Sequence, residues 1–253
     1  CIRDSRKNGN LRFFEFGNCY HYSPEKKNDE DPIRAYNEEM HLGLWVCGNT
    51  VSGSWAHPDE KASFYQLKAY VENIFARMGV VPGTVVTEHS DNNIFSNALV
   101  LKNRGGKVLA EMGIVSKQLL KQSDVSIDVF YADIHWDAVV KAVRNKEVLY
   151  KEISKYPTVS RDLALLLDKN VEFEAIENVA RQTEKKLLKK VELFDVYEGK
   201  NLPAGKKSYA VNFILQDETK TLNDKQIDAM MNKLIANLKS KLGAELRLSL
   251  IHI

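Results

Sequence analysis

The chain lacks the residues that staple small secreted folds. Its 253 residues include three cysteines, Cys1, Cys19 and Cys47, an odd number with no Cys-x-x-Cys pair and no framework spacing. They read as reduced thiols of a cytoplasmic protein, which excludes a disulfide scaffold. Long apolar runs are also missing. No stretch approaches the ~18 residues a membrane span needs and no signal peptide is visible, so no membrane partner is expected. Internal repeats and low-complexity tracts are absent. The first residue is Cys1 rather than an initiator Met, so a piece of a longer polypeptide is expected. A net charge of +2 is too close to neutral to argue for nucleic acid by itself.

What remains is an ordinary globular composition, 44% hydrophobic and 28% charged, long enough to bury a core in one or two domains. The basic excess sits after Ser154, in KKLLKK (Lys185 to Lys190), Lys200, Lys206 and Lys207. On charge alone, these are solvated lysines on a helix end and a turn. The charged stretch NKEVLYKEISKYP, closing on Pro157, marks the expected boundary between domains 1–148 and 154–248.

In the first domain LRFFEFGNCYHY reads as one strand or two, and MHLGLWVCG as a buried strand. SPEKKNDEDPIRAYNEE (Ser23 to Glu39) reads as a long exposed loop. ASFYQLKAYVENIFARMG is an amphipathic helix with Phe64, Leu67, Val71, Ile74, Phe75 and Met78 on one stripe and Gly79 as its stop. NALVLKNRGGKVLAEMGIV reads as a hairpin, IDVFYADI as a strand and WDAVVKAV as a short helix. The expected class is α+β, an antiparallel sheet with helices beside it.

The second domain reads as strand RDLALLLD, helix VEFEAIENVARQTEKKLLKK, strands VELFDVYEG and SYAVNFILQD, helix TLNDKQIDAMMNKLIANLKSKLG and strand AELRLSL. Thr221 and Asp224 have capping-box-like spacing. The order β-α-β-β-α-β is the ferredoxin-like arrangement, in which both helices cover one sheet face and leave the other open.

Strand parity assigns that open face. Tyr209, Val211, Phe213 and Leu215 are the inward set of one strand, and Phe194 and Val196 are taken as inward on its neighbour. Asp195, Tyr197 and Ser208 then share the open face, with Asn212 further along it and Lys200, Lys206 and Lys207 around it. A tyrosine ring is a stacking platform for an unpaired base. A carboxylate accepts from the N–H groups of a guanine edge, and a hydroxyl donates or accepts. Lysines hold phosphates without reading sequence. The plainer alternative is a solvated aspartate and a tyrosine capping the sheet edge.

Metal and nucleophile chemistry have residue types but no pattern. Cys19, His21, His41, Cys47 and His57 suit zinc, yet their spacing matches no finger or ribbon, so no metal site is expected. NRGGK (Asn103 to Lys107) lies between two apolar runs and reads as a hairpin turn rather than a phosphate cradle. Trp45, Trp55 and Trp136 are candidates either for the core or for interface anchors.

KYPTVSRDLALLLD, VELFDVYEGKNLPAGKKSYAVNFILQ, KTLNDKQID and LGAELR, in that order, resemble the anticodon-binding domain that ends bacterial phenylalanyl-tRNA synthetase β subunits. RFFEFGNCYHY, EEMHLGLWVCG and the ASFYQLKAYVENIF helix resemble that subunit's catalytic-like domain, with EHSDNNIFSNALVL where the family has a His-Pro-Gly signature. The resemblance implies a class II synthetase-like sheet without chemistry, followed by a ferredoxin-like anticodon-binding module. It implies that Tyr197, Asp195 and Ser208 hold the first anticodon base, a guanine, of the phenylalanine tRNA. The implied partners are that tRNA and a catalytic α subunit, in a cytoplasmic heterotetramer that uses ATP and magnesium. No catalytic residue and no cofactor are expected in this chain, which shows neither the Arg-x-Glu pair nor the Gly-rich segment of class II ATP sites. The competing expectations are a stand-alone enzyme using the Cys/His residues of the first domain, and a purely structural interaction module.

Overall fold

The computed structural model describes residues 9–28, 31–81, 83–145, 147, 150, 152–200 and 202–247. Contacts divide the chain into two compact units, Cys1–Leu149 and Tyr150–Ile253. Cys1, part of the charged stretch around 146–151 and the end of AELRLSL lie outside the described residues. No helix among the described residues is long and apolar enough to cross a membrane.

In the first unit LRFFEFGNCYHY is one strand, β1 (Leu11–Tyr22). It pairs antiparallel along its whole length with β2 (Tyr36–Cys47). The expected long loop is therefore shorter, because pairing with β1 carries β2 back to Tyr36; two 3-10 turns, Pro24–Lys26 and Pro32–Ala35, fill part of the connection. A small two-stranded sheet, β3 (Asn49–Val51) with β4 (Glu60–Lys61), precedes helix α1 (Phe64–Met78). Strands β5 (Val85–Ser90), β6 (Phe95–Asn103), β7 (Val108–Val115) and β8 (Val129–His135) complete an antiparallel sheet of order β1-β2-β8-β7-β6-β5. Helix α2 (Lys117–Gln122) lies between β7 and β8, and α3 (Trp136–Val143) follows β8.

Helix α1 forms where the apolar spacing predicts it. Ser63 caps its first turn by accepting from the Gln66 amide, and Gly79 ends it at φ 88°. Its buried Leu67, Val71 and Phe75 meet Leu42, Leu44 and Val46 of β2, Met112 of β7 and Ile134 of β8. Burying a side chain of that size stabilises by roughly 1.5–3 kcal/mol. The opposite sheet face keeps His41, Trp45, Tyr131, Asp133 and His135.

The second unit runs β9 (Val159–Asp168), α4 (Phe173–Thr183), β10 (Leu188–Tyr197), β11 (Lys206–Leu215), α5 (Asp224–Leu242) and β12 (Glu245–Leu246). The antiparallel sheet order β10-β11-β9-β12 is the ferredoxin-like one. Ile176 and Val179 of α4 and Ile227, Met230, Met231, Leu234 and Leu238 of α5 share one core with Val211, Phe213 and Leu215, so both helices lie on one face.

Two details correct the sequence reading. Helix α4 stops at Thr183, and KKLLKK becomes a turn and the start of β10. The Glu184 carboxylate accepts from the amides of Lys186 and Leu187, offering those donors a partner outside the helix. The capping box of α5 is built by Asn223 and Gln226, not Thr221 and Asp224; Asn223 Oδ1 accepts from the Gln226 amide at 2.9 Å.

Candidate functional site

Register decides which side chains of the second unit share the open face, because residues directly opposite in a ladder point the same way. Val191 and Leu193 oppose Phe213 and Val211, and so belong to the helix-covered face. Continued without interruption, that alternation would carry Asp195 and Tyr197 into the core. A β-bulge intervenes between Leu193 and Asp195, with Phe194 as the extra residue. Beyond it, Asp195 opposes Ala210 and Tyr197 opposes Ser208. The bulge thus turns the carboxylate and the phenol onto the open face.

This corrects the parity argument while keeping its outcome. Phe194 is not an inward residue: it is 61% exposed. Val196, opposite Tyr209, lies on the helix side but remains 49% exposed on the edge strand. The inward residues of β10 are Leu188, Val191 and Leu193.

The face is flat where it matters. Ala210 opposes both Asp195 on one side and Ala164 of β9 on the other. Across these two small residues Arg247 reaches from the far edge. Its backbone N–H donates to Ala164 O at 2.8 Å, and its guanidinium carbon sits 5.2 Å from the centre of the Tyr197 ring. At the other end of the ring stands Gly199, where an added Cβ would fall 2.1 Å from the Tyr197 hydroxyl. Sequence reasoning assigned no role to Arg247 or Gly199; both act through register and close approach, which single-strand parity does not report.

The remaining candidates separate. Among the described residues, no hydrogen bond or ion pair engages the side chains of Asp195 or Ser208. Ser208 is buried and Asp195 is exposed. Asn212 is on the same face, but its amide donates to Asp162 Oδ1 at 2.5 Å and to Ser160 Oγ. Lys206 shares the face of Ser208 and pairs with Asp168 at 3.0 Å. Lys200 is exposed beyond the end of β10. Lys207 must be withdrawn from the ring of phosphate-reaching lysines. One residue from Ser208, it points to the other side, only 7% exposed, with its ammonium 4.5 Å from the Tyr209 ring centre.

The first unit offers no phosphate cradle at NRGGK. The amides of Gly105 and Lys107 donate to Asn103 Oδ1, Gly106 N–H donates to Asn103 O, and Gly106 sits at φ 80°, so a hairpin turn consumes those donors. Cys47 is buried with its thiol against Gly9 O at 3.5 Å, roughly 20 Å along β2 from His41. Trp45 stacks on Tyr131 and Trp136 meets Phe16 edge-on, whereas Trp55 is fully exposed.

The open ferredoxin-like face thus carries a ring, a hydroxyl and a carboxylate that has no partner among the described residues, and residues 154–247 match the ferredoxin-fold anticodon binding domain. Residues 4–136 match the phenylalanyl tRNA synthetase beta chain CLM domain. The chain belongs to the phenylalanyl-tRNA synthetase β-chain family. It is 60% identical over 243 residues to a Bacteroides fragilis phenylalanine–tRNA ligase beta subunit, covering 96% of this chain and 30% of that protein. Relatives of the same name from Bacteroides thetaiotaomicron and Porphyromonas gingivalis are 58% and 48% identical, each again covering 96% of this chain and 30% of the relative. The chain thus spans about a third of the length of the curated relatives it matches. A solved pyrrolysyl-tRNA synthetase from Desulfitobacterium hafniense aligns over 56% of this chain and 46% of its own at 13% identity and a TM-score of 0.39, a likeness too slight to extend the fold description.

Proposed function

We propose that the second unit holds an anticodon base of the phenylalanine tRNA. The base stacks on Tyr197, and its Watson–Crick edge meets Asp195 and Ser208. The observation that carries this reading is the register: Tyr197 opposite Ser208, with the unengaged Asp195 carboxylate one pair further along the same face. A guanine suits the set, since its N–H donors match a carboxylate that only accepts. Lys200 and Lys206 approach the phosphates, and Asn212 supports the row beside the base. The functional modules divide at 1–148 and 154–248.

The parent enzyme in this proposal is a cytoplasmic phenylalanine–tRNA ligase, in which an α subunit carries out aminoacylation with ATP and magnesium. The first unit serves as scaffold and α-subunit contact, and fully exposed Trp55 is an anchor candidate for that contact. The chain itself activates no amino acid. Titration of the 253-residue chain with the anticodon stem-loop, at several salt concentrations, tests the proposal. Binding that weakens as salt rises, and that falls in Asp195→Ala and Tyr197→Ala, is expected. Equal binding by wild type and both variants overturns the assignment.

A further inference from the structure

A second constellation lies in the first unit, at the end of the sheet where β1, β2 and β8 meet. His41 on β2 opposes His135 on β8, and their rings lie 4.5 Å apart, centre to centre. Two positions back along β2 stands Glu39, opposite Cys19 of β1, and His21 of β1 is two positions beyond Cys19 on the same face. Five residues scattered through the sequence, His21, Glu39, His41, Asp133 and His135, thus gather on one surface.

The hydrogen bonding fixes what His41 can do. Its Nδ1 is 2.7 Å from Asp133 Oδ1. A carboxylate only accepts, so a proton sits on Nδ1, and the neutral form of the ring would carry its lone pair on Nε2. That Nε2 is buried and finds no hydrogen-bond partner among the described residues, in a residue only 9% exposed. It lies 3.8 Å from Glu39 Oε2. In that neutral form a buried lone pair would face a carboxylate oxygen, two acceptors without a donor, an arrangement that a cation between them satisfies. Glu39 Oε2 is also 4.0 Å from Nδ1 of His135. Donor atoms of His21, Glu39 and His41 all lie within 4.8 Å of one another.

We propose that His21, Glu39 and His41, with His135 close behind them, form a binding site for a zinc-class divalent metal ion that ties the edge strand β1 to β2. The donor set is imidazole and carboxylate, which zinc accepts at Zn–N and Zn–O distances of roughly 2.0–2.2 Å. Asp133 plays the outer part: it orients the His41 ring and fixes its tautomer, as carboxylates behind metal-bound histidines do. The sequence expected no metal because no two of these residues form a finger or ribbon spacing; cross-strand register supplies the proximity instead. The site does not depend on the anticodon reading, and it implies no catalysis.

The test uses the 253-residue chain, treated with chelator, desalted and titrated with Zn(II) by calorimetry and with Co(II) by visible absorption. A single equivalent of zinc, four-coordinate cobalt bands, and a zinc-dependent rise in unfolding temperature are expected. His21→Gln and Glu39→Gln should each abolish the cobalt bands. Asp133→Asn should weaken zinc affinity by roughly 10–100-fold. Removing His41 empties a buried position and is open to misfolding, so the decision rests on exposed His21 and half-buried Glu39, with unfolding curves confirming a folded chain. Three results overturn the proposal: no stoichiometric zinc, zinc bound equally by folded His21→Gln and Glu39→Gln variants, or cobalt bands of thiolate character that place the ion at a cysteine.

Discussion

Tyr197 and Ser208 stand directly across the β10–β11 ladder on the sheet face that no helix covers, and the Phe194 bulge puts the tyrosine there. Without that extra residue, the alternation set by Val191 and Leu193 would send Asp195 and Tyr197 under the helices. An unpaired carboxylate in that core would cost several kcal/mol.

The bulge therefore predicts different outcomes for two changes at one position. Phe194→Ala keeps the extra residue and removes a mostly exposed ring, so stability should change by less than about 0.5 kcal/mol. Deleting Phe194 forces either the burial of Asp195 or a broken ladder, and should cost more than about 2 kcal/mol and eliminate RNA binding. Urea unfolding of both variants measures the difference.

Gly199 leaves the room that the Tyr197 ring uses. Gly199→Ala should push the ring off its present position and away from Arg247 with little loss of stability, since Gly199 is not among the glycines at positive φ. The expected result is a several-fold loss of stem-loop affinity, with Tyr197 ring resonances shifted in the free protein. Unchanged ring shifts would contradict it.

The lysines separate by face. Lys200→Ala and Lys206→Ala should weaken stem-loop binding and each reduce the salt slope by about 1, as loss of one phosphate contact does. Lys207→Ala should leave the slope alone. It should lower stability by roughly 1 kcal/mol instead, because its stem is buried and its ammonium lies over Tyr209. Affinity against salt, together with unfolding curves, distinguishes the two behaviours.

In the first unit, burial pushes the Tyr131 phenol up to about 12 from 10.0, helped by the charges of Asp133, Cys19 and Glu111. The unfolded chain releases this proton first. The contribution is therefore fully present below pH 10 and is lost as pH rises from there through about 12. An absorbance titration should show one late tyrosinate step in wild type that is missing from Tyr131→Phe.

Much of the architecture was legible because it follows from local periodicity. The 3.6-residue stripes of α1 and α5 and the β-α-β-β-α-β order survive intact. The features that escaped involve competition or distance. KKLLKK continues a helical pattern, yet Glu184 offers its amides another acceptor and β11 offers Leu188 a ladder. Parity along β10 assumes an unbroken strand, and the assumption fails at Phe194. Lys207 was grouped with Lys206 by proximity in sequence, although adjacent strand residues face opposite ways. His21 and His41 were legible as zinc-type residues, but their meeting with Glu39 had no spacing signature, since it comes only through the β1–β2 register.

The central claim is that the uncovered sheet face grips an extruded purine through Tyr197, Asp195 and Ser208. The most direct measurement is a nuclear magnetic resonance titration of the chain with the phenylalanine anticodon stem-loop and with a variant loop carrying cytosine at the first anticodon position. Shifts concentrated at Asp195, Tyr197 and Ser208 with the guanine loop, and much smaller ones with the cytosine loop, are predicted. Shifts of equal size with both loops, or shifts confined to residues on the helix-covered side, would contradict the account.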